Sequence, residues 1–285
     1  MQVAHRKFAY PDWEMRSMVE RRPYLYADLT WPELRDAIAR QPVVVLPVGT
    51  VEQHGWHLPL DTDNFLIGSV TQEVGKRAPE DALIMPVVPY GFNWHHIDFP
   101  GTIGIDIDNL INYLFDITKS LAYHGFRKII LVSGHGSNTS LLDLVARKTI
   151  IETDALCASL MYLNIVRDAV NQIVESPISH ACEWETSLYL SLASERVQMD
   201  KAVLDYDVLP SDFFKRAVNA PVGLMEWWSS FSESGVVGDA TLATRNKGDQ
   251  IYEVTVETFV RMVREFRARP VRQRRDHHEP LKNLV

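Results

Sequence analysis

The sequence predicts a single α/β domain, a three-layer arrangement in which helices cover both faces of a mostly parallel sheet. Three observations predict it. Short apolar runs of strand type alternate with longer segments of helical periodicity. The chain has 285 residues, a length that one large α/β domain can fill. No internal repeat and no linker-like stretch divides it. With 46% hydrophobic and 23% charged residues, it is not a disordered, collagen-like or low-complexity chain.

The elements follow in order. Residues 1–28 read as an N-terminal extension, broken by Pro11 and Pro23. Thr30, ahead of Trp31-Pro32-Glu33, marks a helix start, with Glu33 placed to complete a capping box. Val43 to Val48 (VVVLPV) is a strand buried on both faces. Residues 64–78 set Leu66, Val70 and Val74 on one helical face, and Leu83 to Val88 is a second strand. Asp106 to His124 carries Leu110, Leu114, Ile117 and Leu121 at helical spacing, with Gly125 as the stop. Lys128 to Val132 is a third strand, Asn138 to Thr153 a helix and Ala155 to Leu163 a fourth strand. Residues 183–194 read as helix. Residues 205–240, with Pro210, Pro221, Gly223, Gly235 and Gly238, read as a partly irregular excursion. The last helix spans about 250–267 on a stripe of Ile251, Val254, Phe259, Met262, Val263 and Phe266. The domain is therefore expected over 29–267, with an Arg-rich tail over 268–285.

Charge and composition narrow the function. The net charge of −8 disfavours nucleic acid as a partner, and the arginines from Arg264 to Arg275 read as a solvated or subunit-contacting stretch. No apolar run approaches the ~18 residues of a membrane span, and the first residues lack the apolar core of a secretory leader. Cys157 and Cys182 form no CxxC pair, which suggests a reducing compartment and a cytoplasmic setting.

The unusual ionisable residues gather at strand ends, where open α/β sheets bind ligands. VVVLPV runs into Gly49-Thr50-Val51-Glu52-Gln53-His54-Gly55, then to Asp63 at a helix start. KIILV runs into Ser133-Gly134-His135-Gly136-Ser137-Asn138. His180 to Thr186 follows the fourth strand. Histidines and carboxylates suit divalent ions of the Zn or Mn type, and a short carboxylate such as Asp63 can bridge two of them. Each residue alone has a plainer role, Asp63 as a helix cap and His135 as a turn residue. Convergence of three segments is what favours a metal site. Gly134 to Asn138 does not match the Gly-x-Ser-x-Gly elbow of serine hydrolases.

These segments resemble the creatininase family of creatinine amidohydrolase-like proteins. The resemblance rests on Glu52-Gln53-His54-Gly55 with His57-Leu58-Pro59-Leu60 and Thr62-Asp63, on His96 to Thr102, and on Gly134 to Asn138. It continues through His180 to Ser187, Gly235 to Asp239, Ala243-Thr244 and Lys247-Gly248, in family order over roughly residues 28–265. It implies a Rossmann-like fold, two divalent ions per chain (Zn, Mn or both) and a homo-oligomer, with a hexamer favoured. By position it implies Glu52, Asp63 and His135 at one ion, His54, Asp63 and Glu185 at the other, and His180 as the catalytic proton donor. Trp94, His96 and Ser137 are expected to line the substrate pocket; His57, His95 and His124 receive no role.

The expected reaction is attack of metal-activated water on a carbonyl of a small cyclic amide or related small molecule. The alternatives are a hydrolase of an inositol-derived cyclic diketone, an N-formyl amide deformylase, and a metal-containing binding protein without turnover. Creatinine-hydrolysing members carry a Tyr-Glu pair where this chain has Gly136 and Ser137. Efficient turnover of creatinine is therefore not expected.

Overall fold

The computed structural model describes residues 22–205, 222, 224–275 and 277. After helix α1 (Trp31–Arg40) come β1 (Val43–Val48), α2 (Thr62–Arg77), β2 (Ala82–Ile84) and α3 (Ile107–Tyr123). Then follow β3 (Lys128–Ser133), α4 (Asn138–Glu152), β4 (Leu156–Met161), α5 (Arg167–Val170) and α6 (Glu183–Ala193). The parallel sheet has the order β2-β1-β3-β4, with Val44 beside Ile129 and Val48 beside Ser133 at its centre. A two-stranded antiparallel ribbon, β5 (Leu204–Asp205) with β6 (Gly238–Asp239), precedes the long helix α7 (Arg245–Ala268).

Alternation along the strands builds three layers, because successive side chains point to opposite faces. Val43, Val45, Ile130 and Val132 pack under α2, α6 and α7. Val44, Leu46, Val48, Ile129 and Leu131 pack under α3 and α4. Both faces of β1 are thus covered, which is why it reads as an unbroken apolar run. Cys157 and Cys182 fall in the two different cores and are free thiols. Among the described residues, no helix is long and apolar enough to cross a membrane.

Local chemistry sets the element ends. The Thr30 backbone N–H and hydroxyl both donate to Glu33 (2.9 and 2.7 Å). Asp106 accepts from the backbone of Asp108 and Asn109 ahead of α3, and Gly125 follows it with φ 105°.

Four boundaries differ from the sequence reading. β2 stops at Ile84, two residues before Pro86, which has no N–H to give the ladder; Val88 returns only as an isolated bridge to Val48. β4 ends at Met161, and the chain tightens into a 3₁₀ turn over Tyr162–Ile165. α7 begins five residues before the expected start, because Thr244 caps it by accepting from the Lys247 N–H at 3.2 Å. Leu25 bridges Ile84, so the last part of the N-terminal extension covers the β2 edge.

Arg264 and Arg267, the first of the clustered arginines, pair with Asp81 at 3.1 and 2.5 Å. Pro210, Pro221 and Gly223 of the excursion and the end of the tail lie outside the described residues.

Candidate metal centre

The site forms where the carboxyl ends of β1 and β3 meet the start of α2. The chain passes from β1 through Glu52 and His54, then enters α2 with Asp63 in its first turn. Asp61 is the residue at the N-cap; Asp63 is free to turn inward, where it accepts from the Thr50 hydroxyl at 2.8 Å. A Cβ at Gly134 would lie 2.8 Å from the Asp63 carbonyl oxygen, so glycine there lets the β3 loop press against α2. The Ser133 hydroxyl bonds the backbone carbonyl of His135 and accepts its N–H, which fixes the turn that aims the imidazole.

The remaining donors come from the segment leading into α6. His180 is held by a two-way backbone bridge to Val237 (3.2 and 2.9 Å), which gives the Gly235-to-Asp239 stretch its structural purpose. Glu185 lies in the first turn of α6 and accepts from the Ala181 N–H.

All six side chains are buried. His135 Nδ1 is 3.0 Å from Glu52 Oε1 and 3.4 Å from Asp63 Oδ2, and His54 Nε2 is 3.3 Å from Asp63 Oδ1. Two sets share Asp63: Glu52, Asp63 and His135, and His54, Asp63 and Glu185. In each, the donor atoms lie within 4.8 Å of one another. Ligands at ~2.1 Å from an ion stand about 3.0–3.4 Å apart in octahedral or tetrahedral geometry, so the observed spacings suit a shared cation. Among the described residues, both Glu52 oxygens and His54 Nε2 are buried without a partner in hydrogen-bonding geometry. Buried polar atoms left this way are costly unless a ligand takes them up.

The electrostatics agree. Burial alone would push His54 and His135 down, but Asp63 beside the first and Glu52 beside the second lift them to about 9 and about 10. Burial would raise Asp63, yet the two imidazoles hold it far below the ordinary carboxylate range. Burial pushes Glu185 up to about 8. The concentration of negative charge that makes protons cling to the imidazoles also attracts a cation.

Gln53 organises the histidines behind this cluster. Its Oε1 accepts from the Gly55 N–H (2.9 Å), so Nε2 is the donor end and reaches the Gly235 carbonyl (3.1 Å) and His96 Nδ1 (2.8 Å). His180 Nε2 lies 3.0 Å from Gln53 Nε2, whose two protons go to the Gly235 carbonyl and His96 Nδ1, and 2.9 Å from the Gln53 carbonyl, which can only accept. The His180 proton is therefore assigned to Nε2, and the Nδ1 lone pair faces the cluster, 3.8 Å from Glu52 Oε1. Burial holds His180 and His96 well below their ordinary values, so both are neutral.

A cavity of about 560 Å³ opens over the donors, with Asp63, His135, His180 and Glu185 in its wall. Of the expected pocket residues, His96 and Ser137 line it. Trp94 does not: its ring is largely exposed and packs over Gly104. The tryptophans of the wall are Trp184 and Trp228, the latter 4.4 Å from the His96 ring. His95, left without a role by the sequence, lines the cavity and meets the Ser137 hydroxyl at 3.1 Å. The run of two histidines in a 3₁₀ turn was a usable signal for it; nothing in the sequence singled out Trp228. His57 is structural, 2.8 Å from the Thr186 hydroxyl.

The two glutamates of α6 do different work. Glu183 accepts from the Glu175 and Ser176 N–H groups and from Lys247 Nζ at 2.5 Å, away from the metal donors. Glu183→Gln is expected to lower stability by about 1–2 kcal/mol, because it weakens the charge-assisted bonds to two backbone N–H groups and to an ammonium that keeps Glu175 (2.6 Å) and the Leu242 carbonyl (3.0 Å), and to leave metal content unchanged. Glu185→Gln should do the reverse. Thermal melts paired with metal analysis check both; metal loss from Glu183→Gln would contradict the division.

The chain matches the family profile described as Creatininase, creatinine amidohydrolase, over residues 27–263. It is 31% identical over 264 residues to a creatinine amidohydrolase of Pseudomonas putida, covering 84% of this chain and 95% of that one. It is 34% identical over 217 residues to a mycofactocin precursor peptide peptidase of Mycolicibacterium smegmatis, covering 74% and 80%. A 3-dehydro-scyllo-inosose hydrolase of Thermotoga maritima is 26% identical over 264 residues, covering 86% and 84%. A solved structure described as the Mn form of creatininase superposes with a TM-score of 0.72 at 31% identity, covering 85% of this chain and 98% of that one. A mutant creatininase described as Zn-Zn type gives 0.72 at 30%, covering 85% and 97%.

Proposed function

Because this chain belongs to the creatininase family, whose members are metal-dependent amidohydrolases, we propose that it hydrolyses a C–N bond of a small amide at this centre. One observation carries the reading: two buried donor triads that share Asp63. We assign Glu52, Asp63 and His135 to one divalent ion and His54, Asp63 and Glu185 to a second, either Zn or Mn. The charge supports two ions, since three buried carboxylates offset most of their positive charge and leave an excess that favours an anion. Divalent ions held there supply a water that ionises near neutral pH and a positive charge for the carbonyl oxygen.

The chain's own residues do the rest. His180 Nδ1, neutral and facing the cluster, takes a proton from the attacking water and returns it to the leaving nitrogen. Gln53 keeps that tautomer by accepting from Nε2. Ser137 and His95 offer a hydroxyl and an imidazole to the cavity, so the wall suits a neutral hydroxyl or carbonyl better than a guanidine-like ring. Phe92, Leu141, Met161 and Phe231 give the cavity wall apolar surface. The cavity is far roomier than one small ring requires.

We read the assembly as a homo-oligomer with a hexamer favoured, supported by the exposed Trp31, Tyr123 and Ile151. We read the setting as cytoplasmic, supported by two buried free thiols.

The test is the Mn- or Zn-loaded protein, sized by light scattering and assayed on creatinine, N-formyl amines, short peptides and cyclic polyol diketones. A chelator should abolish turnover. His180→Ala should keep its metal and lose about 10²-fold or more in kcat. Creatinine should fall below the ordinary kcat/KM of about 10⁴ M⁻¹s⁻¹. Hydrolysis that survives the chelator would overturn the reading, and a monomer at micromolar concentration the assembly.

A further inference from the structure

The metal donors account for one part of the cavity wall. Arg167, the first residue of α5, occupies another, just beyond the carboxyl end of β4. The same wall carries the apolar Met161, Leu163, Ile178 and Phe231, and one carboxylate besides the candidate metal donors, Glu226. Arg167 Nε is buried and has no hydrogen-bond partner among the described residues. Nη2 donates to Asn164 Oδ1 at 3.2 Å. Among the described residues no hydrogen bond joins Arg167 to Asp168, the nearby carboxylate that acts on it through space. Several other arginines find acids, as Arg77 meets Glu253, Arg196 meets Asp61, and Arg264 and Arg267 meet Asp81, while Arg127 bonds backbone carbonyls and Arg261 a threonine hydroxyl. Arg167 differs in facing a cavity.

A guanidinium is always charged, and its flat fork matches the paired oxygens of a carboxylate or phosphate. Asn164 already holds one branch of the fork, so less freedom is lost when an anion docks. A buried N–H without an acceptor is poorly satisfied until one arrives. The apolar surroundings strengthen the attraction by lowering the local dielectric.

We propose that Arg167 is a specificity residue that grips an anionic group, carboxylate or phosphate, on the part of the substrate remote from the bond that breaks. The substrate class is then an acidic amide, such as an acylated amino acid or a phosphate-bearing formamide. This inference rests on the reading of the cavity as the active site.

The test uses the metal-loaded full chain and three probes: an N-formyl amino acid with a free carboxylate, its neutral carboxamide, and an N-formyl aminoalkyl phosphate. Binding is measured by calorimetry and turnover separately, on the wild type, Arg167→Gln and Arg167→Lys. One or both anionic probes should bind the wild type about 10- to 100-fold more tightly than the carboxamide, the scale of a charge-assisted hydrogen bond. The preferred arm names the anion. Arg167→Gln should erase that preference, raising KM far more than it lowers kcat, and leave the carboxamide's affinity unchanged, which also shows an intact fold. Arg167→Lys should recover part of it. An anion bound by the metals alone would keep its preference in Arg167→Gln, and that result overturns the proposal. So does equal binding of acid and amide, or no binding of either anionic probe at millimolar concentration. Anion binding through Arg167 without hydrolysis of any probe would uphold the inference and count against the proposed reaction for these substrates.

Discussion

Asp63→Ala is expected to empty both metal positions and lower activity by about a thousandfold or more, roughly 4 kcal/mol of barrier. The reason is its place in both donor sets. Removing Glu52 or Glu185 takes one ligand from one set; removing Asp63 takes one from each and leaves His54 and His135 without their common counter-charge. A graded series sharpens the result. Thr50→Val loses only the 2.8 Å hydrogen bond to Asp63, a supporting contact expected to cost about 10- to 100-fold in metal affinity. The order of loss should be Asp63→Ala, then Glu52→Ala and Glu185→Ala, then Thr50→Val. Metal analysis after dialysis checks it, and full occupancy in Asp63→Ala would reject the shared role.

The second large effect concerns stability. A Cβ at Gly248 would lie 1.8 Å from the Ser187 carbonyl oxygen and 2.9 Å from the Ser191 Cβ. α6 and α7 cross there backbone to backbone, and the Ser187 hydroxyl also accepts from the Thr244 N–H at the α7 cap. A backbone carbonyl cannot step aside without moving its helix, and α6 carries Glu185. Gly248→Ala should therefore cost about 3 kcal/mol or more, despite the better helix propensity of alanine, and lower Tm by roughly 5 °C or more. Gly68→Ala is the control: its Cβ would meet one Val87 methyl at 3.2 Å, and it should stay within about 1 kcal/mol of the parent. Equal melting of the two variants would show that the helices can part cheaply.

How far the sequence could be read depended on whether the deciding physics was local. The β1 strand was legible to the residue, because burial on both faces leaves an unbroken run of Val and Leu. The candidate cluster was legible in part because strand ends are where side chains escape the core, while its sorting into two donor sets came only from the family resemblance. Glu52, His54, Asp63, His135, His180 and Glu185 do converge. What failed depended on distant partners. The sequence reading began the last helix near residue 250 and missed the first turn of α7; the smallness of Gly248 in that turn serves contact with α6, which no local pattern announces. Trp94 carried the right chemistry in the right segment but packs over Gly104, while Trp228 supplies the ring beside His96. The His180 tautomer was also beyond reach, since it depends on Gln53, 127 residues away.

The sheet order has a kinetic consequence. β1 pairs on one side with its sequence neighbour β2 and on the other with the more distant β3, so Val44 must find Ile129 before the centre of the sheet exists. Such long loops close slowly, and this topology places the chain among folders of high contact order. The metal donors span residues 52 to 185 and come together only after that pairing and the docking of α6. A cation therefore meets no complete site on the folding chain and cannot act as its nucleus. Its stabilisation arrives after the rate-limiting step, so bound metal should flatten nothing on the folding arm of a chevron and lower the unfolding arm. A metal-loaded centre would thus act as a latch on the finished fold, setting how long the native state persists rather than how fast it is reached.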